Sequence, residues 1–478
     1  MSPKTESLSS DLAGIVGEVA VEENPQVTVA GKSPAVRARP KSVDEVGKVL
    51  AFANDHGLGV IPTGSGTKLE TGNPPEKFDV LLDLSGLDQI VEYDAENLTI
   101  AAQAGVRVKD LVELVGKDGL FFPADPSFPG EATIGGVVAT SDNGPKRFQH
   151  GNLRDVVLGV KVVLPNGELV KFGGRTIKNV SGYDVTKMMI GSMGILGVIV
   201  EATFRLLPQP QREDVLVHAF PRLTDAAKLS EEVLDSVLVP SSLELISSAA
   251  RRLLKGVTPD FAQGEYLLVV GLEGHPNAVA RQEKGLTSMC ASLAPNRTAL
   301  VVGGDYVAEG KKPSEREVAC EIHESHETCN CQTVTAQATV ESLWNEIYNL
   351  ERTAKEAGYP VAAKVAVPLS IVWEMAQAAE KSAAANSVEI AYKISAGNGI
   401  LNLYLKGDNE NILAVLEDLR TLAEKREGSL VLKSSPVFNG GFETWGDPQG
   451  AYVPLIKATK AKFDPNGILN VGRYMGRV

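Results

Sequence analysis

Two glycine-rich segments carry the residues best suited to hold an anion. Thr63-Gly64-Ser65-Gly66-Thr67 follows the apolar run Val60-Ile61-Pro62, and Thr133-Ile134-Gly135-Gly136 closes a stretch of small residues that begins at Asp125-Pro126. Glycine lets a backbone approach a ligand without a Cβ in the way, and successive N–H groups in such a loop form a nest for phosphate oxygens. Neither segment carries a familiar nucleotide signature. A Rossmann fingerprint opens a helix at once, whereas Thr67 is followed by Lys-Leu-Glu-Thr-Gly-Asn-Pro-Pro, which cannot open one. A Walker loop needs Gly-Lys-Ser/Thr at a fixed offset, and the chain lacks it. Taken alone, the first loop fits a plain turn as well as a pyrophosphate nest of another kind.

A second cluster is Cys320-x-x-His323-x-x-His326-x-x-Cys329-x-Cys331. Thiolates and imidazoles at such short spacing could hold Zn²⁺ or an iron–sulfur centre. The spacing matches neither a zinc nor a ferredoxin pattern, so a polar loop with reduced thiols, or a docking surface for a partner, stands beside the metal reading.

These segments are embedded in 478 residues, enough for about three domains at ~150 residues each. Hydrophobic residues make up 43% and charged residues 22%, an ordinary globular balance that excludes a disordered or fibrous chain. The net charge of −13 argues against a nucleic-acid partner, which needs a basic face. The longest uncharged apolar run, residues 188–200, is interrupted by three glycines and is too short for a transmembrane segment. The N-terminus lacks the basic and apolar regions of a secretory signal. Four cysteines are too few for a disulfide framework, so a cytoplasmic setting is expected, with attachment to a membrane surface only through partner subunits.

The elements around the loops follow from local signals. Ser42 and Glu45 have capping-box spacing before the periodic stretch Val46–Asn54, and Gly57 ends it. Strands are expected at 60–62, 79–85, 89–94 and 98–105, a helix at 107–117, and a hairpin over 156–173 turning at Asn166-Gly167. Beyond residue 213, strands are expected at 215–220, 266–272, 361–367, 389–394 and 400–405. Helices are expected at 224–237, 276–293, 341–357, 370–384, 409–426 and near 450–462. This is an α+β pattern with a largely antiparallel second sheet.

Taken in order, Pro-Thr-Gly-Ser-Gly-Thr, Ala-Thr-Ile-Gly-Gly, Gly-Asn-Leu-Arg-Asp (151–155), Lys-Asn-Val-Ser-Gly-Tyr-Asp (178–184), Gly-Ser-Met-Gly-Ile-Leu-Gly (191–197) and the terminal Phe463-Asp-Pro-Asn-Gly-Ile-Leu-Asn-Val-Gly-Arg473 resemble the vanillyl-alcohol oxidase, or PCMH-type, flavoproteins. Within that superfamily the chain is similar to the FAD-binding E subunits of bacterial glycolate oxidases. The resemblance covers residues 30–210 and 440–475. It implies an N-terminal extension (1–30), a PCMH-type FAD-binding domain of two α/β subdomains (31–210), an α+β cap (211–430) with the Cys/His segment as an insertion near 295–332, and a return to the flavin site (431–478).

The same resemblance implies a non-covalent FAD, since the loops lack the His or Cys that other members use for attachment. Pro62, Thr63, Gly64, Ser65, Gly66 and Thr67 would wrap the pyrophosphate, joined by Pro126, Thr133, Ile134, Gly135 and Gly136. Asn143 and Gly144 would flank the flavin, Gly194, Gly197, Val198 and Ile199 would lie by the adenosine half, and Asn470 would reach the isoalloxazine edge. Where the family has Asn-Pro-Gly, this chain has Asn470-Val471-Gly472. The implied activity is oxidation of a small 2-hydroxy acid, glycolate or D-lactate, with electrons passed to an iron–sulfur subunit beside a second FAD subunit. Such chemistry needs a cation for the substrate carboxylate and a base for the hydroxyl proton. Lys178, Tyr183 and His150 are the candidates for catalysis, with Arg175, Lys364 and Arg473 as further carboxylate partners. Catalytic relatives carry a cap-domain histidine pair that holds a metal. No His follows His326 in this chain, which favours a non-catalytic electron-transfer or structural subunit as the alternative.

Overall fold

The polar N-terminal stretch is not an appendage. In the computed structural model, which describes residues 3–175, 184–254, 266–293, 297–305, 340–435, 442–446 and 452–478, Pro3–Val16 forms helix α1, and its Leu12 is fully buried among the apolar residues of the first sheet. Helix α2, Val43–Asp55, starts where its cap predicts. Ser42 Oγ accepts from Glu45 N at 3.2 Å, while the Glu45 carboxylate accepts from Lys41 N at 2.7 Å, one residue earlier than in a standard box. Its buried face, Val46, Val49, Leu50 and Ala53, has the i, i+3, i+4, i+7 spacing of an amphipathic helix.

The chain divides into two compact units. One comprises Met1–Asn143, Gly151–Leu207 and Ser435–Val478, the other Gly144–His150 and Pro208–Ser434. In the first unit, strands β1 (Val21–Glu23), β2 (Val36–Ala38), β3 (Val60–Thr63) and β4 (Val80–Asp83) form a sheet in the order β1-β2-β4-β3, parallel across β2-β4-β3. Strands β5 (Ile90–Asp94), β6 (Thr99–Gln103), β7 (Val157–Val163), β8 (Leu169–Gly173) and β9 (Val198–Arg205) form an antiparallel sheet in the order β5-β6-β9-β7-β8. Helix α3, Val108–Gly116, packs its Leu111 and Val115 on that sheet. Helix α4, Ile134–Thr140, does so with Val137 and Val138. Sequence patterning gives no sign of α4, because two glycines in seven residues disfavour a helix.

The second unit is one antiparallel sheet of eight strands: β10 (Arg212–Phe220), β11 (Ser242–Ile246), β12 (Tyr266–Gly274), β13 (Arg297–Asp305), β14 (Val361–Ala366), β15 (Glu389–Ser395), β16 (Ile400–Lys406) and β17 (Ser429–Ser434), in the order β13-β10-β12-β11-β15-β16-β14-β17. Helices α5 (Leu223–Leu234), α6 (Pro276–Leu293), α7 (Val340–Glu356), α8 (Val372–Ala385) and α9 (Asn409–Lys425) belong to this unit, and α10 (Tyr452–Phe463) belongs to the first. Helix α7 buries Leu343, Trp344, Ile347 and Leu350 against Val215, Val217 and Val269.

Among the described residues, β11, β13 and β17 of the second unit were not expected from the pattern, nor were β1, β2 and β9 of the first. Every residue of β11 is buried, so it shows no alternation. Strand β13 corrects the boundary of the expected insertion, because residues 297–305 are the edge of the sheet, paired to β10. The remainder of that segment lies outside the described residues, as do Cys320, His323, His326, Cys329 and Cys331. Among the described residues no group of three or more His, Cys, Asp or Glu side chains is placed to hold a metal, and no helix is long and apolar enough to cross a membrane.

His218, on β10, is fully buried with Cys290 Sγ 3.4 Å from its Nδ1. Burial pulls its pKa down to about 4. Folded His218 is therefore neutral across a range in which unfolded His, titrating near 6.5, takes up a proton. Stability should fall as the pH drops from about 6.5 towards 4, by up to about 3 kcal/mol from this group. Thermal midpoints measured between pH 7 and pH 4.5 are expected to fall less steeply in His218→Gln than in the wild type. Equal slopes would show that His218 does not carry the dependence.

Candidate functional site

The two glycine segments meet on one cleft of the first unit. Pro62, Thr63, Gly64, Ser65, Gly66 and Thr67 form one wall at the end of β3, and Thr133, Gly135 and Gly136 at the start of α4 form another. Gly194, Gly197, Val198 and Ile199 lead into β9, and Asn470 and Arg473 come from the C-terminal return. Lys68, Ala104, Ala139, Thr140 and Met193 also line it.

Four other residues expected at the cofactor lie off this wall. Ile134 is fully buried in the core. Pro126 precedes Ser127, whose N–H and Oγ are taken by Asp142. Asn143 is occupied locally, its Oδ1 accepting from Leu153 N at 2.7 Å and its Nδ2 donating to Ser141 O at 2.7 Å. Gly144 belongs to the second unit.

The first loop fits an anion on its own geometry. The N–H groups of Gly64, Ser65, Gly66 and Thr67 find no acceptor among the described residues. A Cβ on Gly64 would lie 2.0 Å from Thr133 Oγ1 and 2.9 Å from Thr133 Cβ, so only glycine lets the two loops approach this closely. Gly135 lines the cleft and is also packed against β6. Its N–H is spent on Ala104 O at 2.8 Å, and a Cβ there would meet Ala104 Cβ at 2.6 Å. This glycine lets α4 sit against the end of β6, while the amide of the next residue, Gly136, has no partner among the described residues.

Two cations border the cleft. Lys68 is paired with Asp142 at 2.8 Å and lies 4.5 Å from the centre of the Phe128 ring. The signal that would have found it is a lysine placed directly after a glycine loop. Arg473 is only 4% exposed and has no carboxylate partner among the described residues. Its Nη2 donates to Leu69 O and Thr71 O, both at 2.6 Å, its Nη1 reaches Asn470 Oδ1 at 3.4 Å, and its Nε has no acceptor among the described residues. Burial lowers its pKa to about 10, which still leaves a cation at neutral pH. A buried guanidinium with an unused donor on the wall of a cleft is costly unless an acceptor enters that cleft.

Asn470 is held by its own left-handed backbone (φ 46°) and by an Nδ2 bond to Met193 O at 2.7 Å. The replacement of Pro by Val471 leaves this turn closed, since Asn470 N bonds Val60 O at 3.0 Å and Val471 O accepts from Glu76 N at 2.8 Å.

Lys178 and Tyr183 lie outside the described residues. His150 is in the second unit, where its imidazole bonds the Glu273 carboxylate. Lys146 bridges Glu213 at 2.9 Å and Glu273 at 3.1 Å beside it. Burial works against the Lys146 ammonium, but the two carboxylates more than offset it and its pKa is raised. Burial likewise raises Glu273, and Lys146 with His150 outweighs it, so that carboxylate stays ionised. This network anchors residues 144–150 to β10 and β12. Arg175 is taken by Glu92, and Lys364 stands on β14 in register with Asn402 of β16.

A cleft walled by loop amides without acceptors among the described residues and by a buried cation suits the phosphates of a nucleotide cofactor. Residues 34–173 match the family model described as FAD binding domain, and residues 209–431 match that described as FAD linked oxidases, C-terminal domain. Together the two models span most of the chain, an FAD-dependent oxidoreductase of the PCMH-type fold. It is 27% identical to glycolate oxidase subunit GlcD of Bacillus subtilis (strain 168), over 92% of this chain and 88% of that one. It is also 27% identical to D-lactate dehydrogenase of Anaerostipes hadrus, over 94% and 91%. The solved structure of p-cresol methylhydroxylase with substrate bound superposes with a TM-score of 0.70 at 16% identity, covering 99% of this chain and 97% of that one. The motifs place the chain beside the E subunit of glycolate oxidase, whereas the glycolate oxidase relative matched here is GlcD.

Proposed function

We propose that this chain is an FAD-dependent 2-hydroxyacid dehydrogenase subunit acting on glycolate or D-lactate, with electrons leaving for an iron–sulfur partner in a cytoplasmic, membrane-peripheral complex. The observation that carries it is the cleft with its unpaired loop amides and the unused Arg473 donor, in a chain whose relatives include a glycolate oxidase subunit and a D-lactate dehydrogenase. FAD, when bound, supplies a two-electron acceptor for the hydrogen on the hydroxyl-bearing carbon.

The chain's own part is to bind and orient. Amides of Gly64–Thr67 neutralise phosphate charge through dipoles, and Arg473 donates from a dry site where a charged hydrogen bond is strong. Thr133, Met193 and Asn470 exclude water around it. The FAD is held without a covalent bond, because neither loop carries a His or Cys.

A second reading rests on the absence of any His after His326: the chain holds FAD as a relay or structural subunit beside a catalytic homologue. Anaerobic titration of the flavin-loaded chain with glycolate and each lactate enantiomer separates the two. Bleaching of the visible flavin band by glycolate or D-lactate is the expected result. An oxidised spectrum that only dithionite reduces would overturn it in favour of the relay role.

A further inference from the structure

Arg473 is held in place by backbone rather than by a countercharge, and the residue that organises this backbone comes from the other end of the chain. Asn73 is fully buried. Its Nδ2 donates to Glu443 Oε1 at 2.6 Å and to Tyr474 O at 3.2 Å, and its Oδ1 accepts from Thr444 N at 3.0 Å. Its own N–H donates to Arg473 O at 2.9 Å, and the same carbonyl accepts from Trp445 Nε1 at 2.9 Å. Arg473 returns the grip through its bonds to Leu69 O and Thr71 O. Gly72 allows the strands of this knot to touch: its φ is +112°, and a Cβ there would lie 2.8 Å from Arg473 O. Asn73 itself does not line the cleft, whereas Arg473 does.

We propose that Asn73 is a positioning residue for the cofactor site. Its carboxamide ties the exit of the first glycine loop to residues 443–444 and 474, fixes the main chain of Arg473, and thereby aims the unused Nε donor at FAD. Every polar atom of the Asn73 side chain is committed, and its three bonds reach two segments, residues 443–444 and the C-terminal return at Tyr474. The proposal rests on the reading that Arg473 faces the cofactor.

The test is a double-mutant cycle on FAD affinity, read by quenching of flavin fluorescence as full-length apoprotein is titrated with FAD. Arg473→Ala should weaken binding by roughly 10- to 100-fold, the usual loss for a charged hydrogen bond. Asn73→Ala should weaken it by about 3- to 10-fold in the wild-type background and by less than about twofold in the Arg473→Ala background. Glu443→Ala, at a partly exposed side chain, removes one acceptor of the tie without emptying the core and serves where Asn73→Ala fails to fold. It should give a smaller loss of the same kind, again only when Arg473 is present. Equal factors in both backgrounds would mean a general structural role and would overturn the proposal, as would unchanged affinity in both Asn73→Ala and Glu443→Ala. Unchanged affinity in Arg473→Ala would instead overturn the reading of Arg473 beneath it. Apoprotein melting temperature, tracked in parallel, should fall by the same amount with or without Arg473, which keeps the stability effect apart from the positioning effect.

Discussion

Gly64→Ala is expected to bind FAD at least about 100-fold more weakly than the wild type, a loss of about 2.7 kcal/mol. The added Cβ would lie 2.0 Å from Thr133 Oγ1. Rotating Thr133 about χ1 moves its hydroxyl but not its Cβ, which would remain 2.9 Å away. One loop must therefore move, and overpacking of this kind costs about 1–3 kcal/mol when a structure cannot adjust. The first loop lines the cleft, so a shift of it displaces the backbone that would meet the cofactor. Binding should suffer more than folding for that reason. Titration of apoprotein with FAD beside a thermal melt would show the split. Gly130→Ala, whose Cβ would meet nothing within 4 Å, is the matched control and should bind normally. FAD affinity within threefold of the wild type in Gly64→Ala would mean that the cofactor does not contact this loop.

The largest loss of stability should come from Lys460→Met. Lys460 on α10 is 7% exposed and Asp464 is 2% exposed, and their charged groups meet at 2.5 Å. Asp464 also accepts from Ile468 N at 3.0 Å and Leu469 N at 2.8 Å, while Lys460 donates to Ile195 O at 2.8 Å and Leu469 O at 2.7 Å. Burial lowers the pKa of Lys460, and Asp464 recovers part of that shift. Removing the ammonium leaves a buried carboxylate without its countercharge, which typically costs about 3–5 kcal/mol. In a unit of this size that corresponds to a drop of roughly 10 °C in melting temperature. Flavin should be lost with it, because the same clip holds the turn that presents Asn470 and Arg473. The double variant Lys460→Met/Asp464→Asn should melt higher than Lys460→Met alone, since it removes both charges together. A double variant that is no more stable than the single one would show that the carboxylate was not the source of the penalty.

Short-range signals were legible in the sequence because they act within a few residues. The Ser42 cap, the Asn166-Gly167 turn between β7 and β8, the alternating and periodic runs of the second unit, and both glycine loops all appear where local chemistry puts them. The first loop was legible only as far as a choice between a plain turn and a pyrophosphate nest, because glycine permits both. What no window of sequence contains is the partner at long range. Helix α4 forms against its own weak propensity because Gly135 packs on Ala104 and Val137 and Val138 are buried.

His150 and Lys146 sit among flavin-domain motifs in the sequence, yet their side chains are engaged by Glu273 and Glu213 of the second unit. Lys68 acquires its role from Asp142 and Phe128, which the second loop brings to it. Arg473 is a plain basic residue near the C-terminus until Leu69, Thr71 and Asn73 close around it. Residue types and their spacing were enough to give most of the secondary elements and the α+β class, since those depend on backbone propensity and patterning over a few bonds. Which cation keeps a free donor, and which glycine serves packing rather than ligand, was decided only by the tertiary structure, because burial and hydrogen-bond satisfaction are properties of the surroundings and not of the residue.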